Sequence, residues 1–269
     1  MPTLSIIIVT FNSAPHIGKL LLSISRSRDK LSKEILLVDN ASTDTTLDVI
    51  KKSGVKLKLF KNKTNLGFAK AVNRAVKQAA GEYVLLLNPD TKIVGNSLNI
   101  LVEFARRSPL LGAVVPRLID PHGRSQPSAF HFPTIANALR RYLLNQPERY
   151  GKYLPPAKTV KLEIAVMAAF LVPRTVFEAI GLLDERFFLY YEDLEFCRRL
   201  KYAGLPIYYY PLAKVIHIHG ASGSFRSHHD SPLVRSAITY HGAVYFNVLN
   251  LVLWAGQKFE LLLKRLKLR

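Results

Sequence analysis

The sequence predicts an α/β protein with a doubly wound, mostly parallel sheet, and three observations lead there. Between Leu4 and Leu87, short β-branched apolar runs alternate with helical patterns, as parallel strands joined by crossover helices require. Polar clusters fall at the carboxyl ends of those strands, at Thr10–Asn12, Asp39–Asp44 and Asn88–Asp90, where open α/β sheets bind their ligands. A hydrophobic share of 49% against 21% charged residues excludes a disordered chain. Its 269 residues suffice for one large domain or one domain with an appendage.

Each element follows from local pattern. Leu4–Thr10 is continuous and β-branched, a strand buried on both faces, followed by a polar turn and a helix to about Ser27. Residues 34–38 form a second strand that ends in DNASTDTT, where Ser42 and Thr43 read as helix caps. Residues 55–60 form a third strand. NKTNLGFAKAVNRAVKQAAG is a turn running into a helix closed by Gly81, and Tyr83–Leu87 is a fourth strand ending in NPDT. Residues 116–161 are rich in Pro, Arg and Tyr and read as loop, with one short helix near 135–144. IAVMAAFLVPRTVFEAIGLLDE reads as strand then helix, GLPIYYYPLAKVIHIHGASG as a strand, and the remainder as helix.

Charge narrows the partners. Against 38 Lys and Arg stand 19 Asp and Glu, a net +19 that attracts polyanions: nucleic acid, an anionic membrane face or phosphorylated small molecules. The single cysteine, Cys197, excludes an intrachain disulfide framework and a cysteine-rich zinc site, so a reducing, cytosolic setting is expected. The first residues read as a buried strand and not a signal peptide, and no stretch reaches the ~18–20 uninterrupted apolar residues of a membrane span.

Several residues offer chemistry. Asp90, delivered by a strand into a sheet-edge crevice, is a seat for a divalent cation bridging phosphates, although Asn-Pro-Asp is also an ordinary turn. Asp39, at a strand's very end, can accept hydrogen bonds from a nucleobase or ribose. Gly67, flanked by Asn65 and Asn73, lies where backbone approaches a ligand, but the spacing matches neither a dinucleotide loop nor a Walker loop. His217 and His219 alternate along a strand, one open to a metal and the other to packing or solvent, although a lone strand histidine is more often structural. With no His-Glu-x-x-His and no Gly-x-Ser-x-Gly, zinc hydrolysis and serine catalysis are unsupported, and Cys197 reads as packing. FFLYYEDLEFCRRL sets Glu192, Asp193 and Glu195 behind aromatic side chains, either as an acidic first helical turn or as a catalytic carboxylate.

Six motifs in this order, SIIIVTFNS, VDNASTD, NLGFAKAVNRAV, LLLNPDT, AAFLVPRTVFEAIGLLDERFFLYYEDLEFCRRLKYAG and VIHIHGASG, resemble the family 2 glycosyltransferases, nearest to their bacterial rhamnosyltransferase-like branch. The resemblance covers about residues 3–225. It implies a GT-A fold, inversion at the anomeric carbon, a nucleotide-diphospho-sugar donor and Mg²⁺ or Mn²⁺. It also implies that Thr10, Asn12 and Asp39 line the nucleoside pocket, while Asn65, Gly67 and Asn73 shape the donor site. Asp90 falls where the family's Asp-x-Asp motif ends and Asn88 where it begins. His217 matches the late histidine near the metal and diphosphate, with His219 the weaker match. Asp193 matches the general base, beside Glu192, with Phe188, Tyr190 and Tyr191 as an aromatic wall; Glu195 reads as solvated or capping.

The expected organisation is a GT-A-type sheet, with residues 1–115 as the nucleotide-sugar half and 116–225 as the acceptor half. A C-terminal amphipathic helical segment follows at 226–269. Its apolar run is broken by Asn247 and Asn250 and ends in Lys258, Lys264, Arg265, Lys267 and Arg269, which suits an anionic membrane face. Either that segment lies on the membrane or it packs on the catalytic domain. The expected acceptor is a saccharide or a lipid-diphosphate-linked saccharide, in cell-surface polysaccharide synthesis, and the expected place is the cytoplasm, peripheral on the inner membrane face. Two other readings compete: a sugar nucleotidyltransferase, and a basic nucleic-acid or membrane-binding module. No nucleic-acid-binding motif supports the last.

Overall fold

The computed structural model describes residues 1–218 and 231–267, with main chain alone for 263–267. His219, Ser222, His228 and His229 lie outside the described residues, as do the side chains of Lys264, Arg265, Lys267 and Arg269.

The amino-terminal half alternates as its sequence demands: β1 (Leu4–Thr10), α1 (Ala14–Ser25), β2 (Lys33–Asp39), α2 (Thr46–Lys52), β3 (Lys58–Lys61), α3 (Phe68–Val76) and β4 (Tyr83–Leu87). Strands β3, β2, β1 and β4 lie side by side in that order, all parallel. The period-2 geometry of β1 sends Ile6 and Ile8 into one core with α1, and Ile7 into the opposite core with α3. Both faces of these strands are therefore apolar, and the polar residues are left to the strand ends.

The chain continues through β5 (Thr91–Ile93), α4 (Ser97–Arg106), β6 (Ala113–Ile119), β7 (Ala129–Phe130), α5 (Ile135–Leu143), β8 (Val160–Leu162), β9 (Ile164–Ala165), β10 (Ala169–Pro173), α6 (Arg174–Ile180), α7 (Glu192–Tyr202) and β11 (Ile207–His217). Strand β10 runs antiparallel between β4 and β6, so both halves share one sheet. Strands β6 and β11 restore parallel pairing, while β5 and β8 pair antiparallel with β11.

Three expectations change. The third strand is Lys58–Lys61, shorter and later than 55–60, because as an edge it pairs only with β2. Gly81 does not close a helix. Helix α3 ends at Val76, and Gly81 leads into β4, where its N–H donates to Ser5 Oγ at 2.8 Å and an added Cβ would lie 2.5 Å from the Ser5 nitrogen. Part of the proline-containing middle is a central strand. Pro116 sits within β6, and the β6–β11 register slips between Tyr210 and Lys214, at Pro211, where missing N–H groups interrupt the ladder.

Helices α8 (Pro232–His241) and α9 (Ala243–Lys267) end the described chain. Helix α9 packs on α5: the Tyr245 hydroxyl accepts the Ile135 N–H at 3.0 Å, and the Tyr142 ring lies where a Gly256 Cβ would be, 2.2 Å from its nearest atom. Along its outer side Val244, Val248, Leu251 and Trp254 stay exposed. The segment thus packs on the domain and also presents apolar surface. No described helix is long and apolar enough to cross a membrane. Gly256→Val is expected to separate α9 from α5 at a cost of ~1–3 kcal/mol, read as faster limited proteolysis within 243–262 and a lower Tm.

Candidate active site

At the ends of β1 and β2 the polar residues are tied to one another. Asp39, 2% exposed, accepts from Thr10 Oγ1 at 2.9 Å and, at its other oxygen, from the Ser42 N–H at 3.0 Å. Asn12 takes a left-handed φ of 50°, a conformation asparagine tolerates, and its Oδ1 accepts the Thr43 N–H at 2.8 Å. Ser42 and Thr43 are therefore not helix caps. The hydroxyl of Ser42 donates to Asp39, Thr43 is held by Asn12, and Asp44 accepts the Thr46 N–H at the start of α2. Thr10, Asn12 and Asp39 form a hydrogen-bonded cluster with the 42–46 turn at the strand ends, with Phe11 half exposed beside it.

At the ends of β4 and β11 the structure joins Asp90 and His217. Asp90 is 3% exposed, its Oδ2 is 3.7 Å from His217 Nε2, and its Oδ1 is buried without a hydrogen-bond partner. Burial pushes the Asp90 carboxyl above the usual range, opposed by its own backbone amide and by the charge of His16. Gln126 orients His217 from behind: its Nε2 donates to the His217 carbonyl at 3.0 Å, and its Oε1 lies 3.2 Å from Nδ1. That contact favours the Nδ1–H tautomer and turns Nε2 toward Asp90 as an acceptor. An orphaned carboxylate oxygen beside an imidazole nitrogen suits a divalent cation. Among the described residues no group of three or more His, Cys, Asp or Glu has metal spacing, so the phosphates of a bound nucleotide would complete the shell. The strand-end turn carrying Asn88 is fixed through its N–H, which donates to Ala168 O at 2.9 Å.

Sequence reasoning missed His16 and Gln126. The ring Nδ1 of His16 is buried without a hydrogen-bond partner, near enough to Asp90 to act on it electrostatically. Neither residue belongs to a motif, and only the sheet brings them to Asp90.

Around Gly67 the expectation is corrected. With φ +83°, its missing Cβ position is filled by Phe188, whose carbonyl oxygen would be 2.4 Å from an added Cβ. The Phe68 N–H donates to that carbonyl at 2.7 Å. Gly67 thus approaches the chain's own aromatic loop, and Asn65 accepts its N–H at 2.9 Å. Asn73 is spent inside the fold as well: it exchanges hydrogen bonds with Leu183 N and O at 3.0 and 2.8 Å and donates to Glu185. These contacts, together with Asn40 Nδ2 donating to Gly67 O at 3.0 Å, hold the loop before α7 against the first half of the molecule.

That loop enters α7 through two successive left-handed residues, Tyr190 and Tyr191, with φ 69° and 68°. Strain of this kind persists only where surrounding contacts over-determine it. It delivers Glu192, buried with Oε2 unpartnered, and Asp193, whose Oδ1 accepts the Leu194 N–H at 2.9 Å. Desolvation pushes both carboxyls up; Glu192 is raised further by the charge of Asp193, whereas Lys152 opposes the rise at Asp193. Lys152 is a further residue the sequence did not reveal. Glu195 is neither solvated nor a cap: it is buried and paired with Arg199, which also donates to the carbonyls of Ile180 and Leu182. Cys197 is fully buried packing.

A parallel sheet extended through an antiparallel insertion, with its polar residues gathered at the strand ends, is the GT-A glycosyltransferase fold. GalNAc-T7, solved with UDP, GalNAc and Mn²⁺, superposes with a TM-score of 0.67 at 16% identity, covering 92% of this chain and 49% of that one. A mannosyltransferase from Pyrobaculum calidifontis, solved with GDP-Man and Mn²⁺, superposes at 0.60 and 17% identity, covering 96% and 74%. Residues 5–181 match the family Glycosyl transferase family 2, and the chain belongs to that family as a glycosyltransferase. The N-acetylglucosaminyl-diphospho-decaprenol L-rhamnosyltransferase of Mycobacterium tuberculosis is 30% identical over 264 residues, covering 89% of this chain and 85% of that protein.

The state of Glu192 is open to measurement. Its folded carboxyl keeps its proton to higher pH than the unfolded one. Above the ordinary carboxylate range the unfolded state therefore binds fewer protons, and stability falls as pH rises toward the raised value. Glu192→Gln, neutral at all pH, is expected to raise Tm at pH 9 and leave it unchanged at pH 4 by differential scanning calorimetry. Each kcal/mol is worth ~2–4 °C.

Proposed function

We propose that the protein is a metal-dependent, inverting glycosyltransferase. It moves a sugar, rhamnose foremost, from a nucleotide-diphospho-sugar to a lipid-diphosphate-linked saccharide in cell-surface polysaccharide synthesis, at the inner face of the membrane. The observations that carry this reading are the desolvated Asp193, behind a loop pinned to the turn after β3, and the Asp90–His217 pair at the ends of β4 and β11. The M. tuberculosis relative, named for rhamnosyl transfer to a diphospho-decaprenol saccharide, supports the choice of donor and acceptor.

The strand-end cluster of Thr10, Asn12 and Asp39 seats the nucleoside, with the buried Asp39 carboxylate tying the cluster together from within. Asp90 and His217 would hold Mg²⁺ or Mn²⁺, which when bound neutralises charge on the leaving diphosphate. Asp193 takes the proton of the acceptor hydroxyl. The acceptor oxygen then bonds the anomeric carbon from the face opposite the leaving group, and the carbon–oxygen bond to the diphosphate breaks with its electrons going to the diphosphate. Lys152 keeps Asp193 ionised, and the buried, raised Glu192 stays neutral beside it, so the pair carries one negative charge. Phe188, 44% exposed, offers a face for sugar stacking. The apolar stripe of α9, with Lys258 beyond it and net charge +19, suits an anionic bilayer.

Nucleoside diphosphate release from a sugar donor is the direct assay, and release of pyrophosphate instead would assign a nucleotidyltransferase. Asp193→Asn is expected to lower kcat by about 10²–10⁴-fold and to abolish an acid limb lying above the ordinary aspartate value of ~3.9. That limb arises because protonation removes the base. Asp90→Ala is expected to remove the Mn²⁺-dependent thermal shift together with activity. In vesicle flotation the chain is expected to bind phosphatidylglycerol-containing liposomes, and Leu251→Asp with Trp254→Asp to release it.

A further inference from the structure

A second pocket lies beyond the catalytic carboxylates. It is a cavity of about 290 Å³ between α7, the stretch 132–134 after β7, and helices α8 and α9. Its chemistry is basic and aromatic. Arg199 is spent on Glu195, but its neighbour Arg198 lies 4.3 Å over the Tyr240 ring, and Lys201 lies 4.8 Å over Phe132. A guanidinium stacked on a ring keeps its edge N–H donors for a planar or tetrahedral anion. His241 adds a third nitrogen base, and Tyr245 stacks on it at 5.2 Å. Among the described residues no carboxylate lines the cavity; Glu163, which feels the charge of Lys201, is held by the Phe132 N–H and by His131.

The pocket shares a wall with the base. Tyr191, immediately before Glu192, lies 5.4 Å from Tyr240 and 5.9 Å from His241, so one aromatic shelf separates the cavity from Asp193. Along the α7 axis, Arg198 is ~7.5 Å and Lys201 ~12 Å beyond Asp193 at the helical rise. The helices that flank the cavity also expose apolar residues, Val244 and Val248 around Tyr245 on α9 and Leu139 and Leu143 on α5. Anion donors, an aromatic wall shared with the start of α7 and exposed apolar residues on the neighbouring helices together describe an amphiphile.

We propose that this pocket binds the diphosphate of a lipid-linked acceptor through Arg198 and Lys201, with the lipid chain leaving over α5 and α9. The assignment rests on the transferase reading for its acceptor, though the pocket's ligand chemistry can be measured separately. The probe is undecyl diphosphate, titrated calorimetrically into the full chain in EDTA, against uridine and thymidine diphosphates with Mn²⁺ in a parallel arm. Arg198→Gln with Lys201→Gln is expected to weaken undecyl diphosphate at least tenfold and to raise the acceptor KM similarly, while donor KM moves less than twofold. Arg198→Lys, which keeps the charge, should recover part of the loss, and unchanged circular dichroism would exclude misfolding as its cause. Undecyl diphosphate held equally by the double variant, or displaced by nucleoside diphosphate, would overturn the proposal by placing it in the donor site. Equal binding to phosphatidylglycerol vesicles lacking diphosphate, lost in the same variant, would overturn it in favour of a general lipid-headgroup site. A chain that bound the probe through both residues yet released no nucleoside diphosphate from any donor would keep the pocket and remove the transferase.

Discussion

The close approach of Phe188 to Gly67 is the constraint on which the site depends. Only a residue without a Cβ, at φ +83°, leaves room for the Phe188 backbone, and the Phe68 N–H then fixes its carbonyl. Through this seat a loop from the second half is pinned to the helix following β3 in the first half. Asn73 clamps the same loop at Leu183, and Arg199 holds the carbonyls before it. Two left-handed tyrosines are tolerated because both ends of the loop are fixed. Glu192 and Asp193 are thereby placed by contacts distant from them in sequence.

A second theme is the contrast between two kinds of buried acid. Asp39 and Glu195 are surrounded by donors, which satisfy their charge inside the fold. Asp90 and Glu192 are under-satisfied, with one oxygen of each unpartnered, and desolvation raises both of these carboxyls and that of Asp193. An unpartnered buried carboxylate costs stability, so its persistence points to work with a ligand. In a chain of net +19, Lys152 sets a basic charge against Asp193.

Much of the fold was legible because periodicity carries it. The run Leu4–Thr10, the strand 83–87 and the acidic start at Glu192 announce themselves locally, and the ordered motifs announce the family. Strand β6 was not legible, since Pro116 reads as a breaker and only the matching irregularity at Pro211 in β11 makes room for it. Gly67 and Asn73 were legible as special positions, but their partners were not. Glycine and buried asparagine signal that something comes close without saying what, and here it is the chain itself.

By itself the sequence determined the element order, the strand-end location of the polar residues and the family. Those follow from pattern and composition, which act over a few residues. Tertiary structure alone decided that Gln126 orients His217, that His16 acts on Asp90 and that Lys152 faces Asp193. It likewise decided that α9 turns one side to α5 and the other outward. The physical reason is distance along the chain: desolvation, charge coupling and close packing depend on what a fold brings together across tens of residues, and no local pattern encodes the partner.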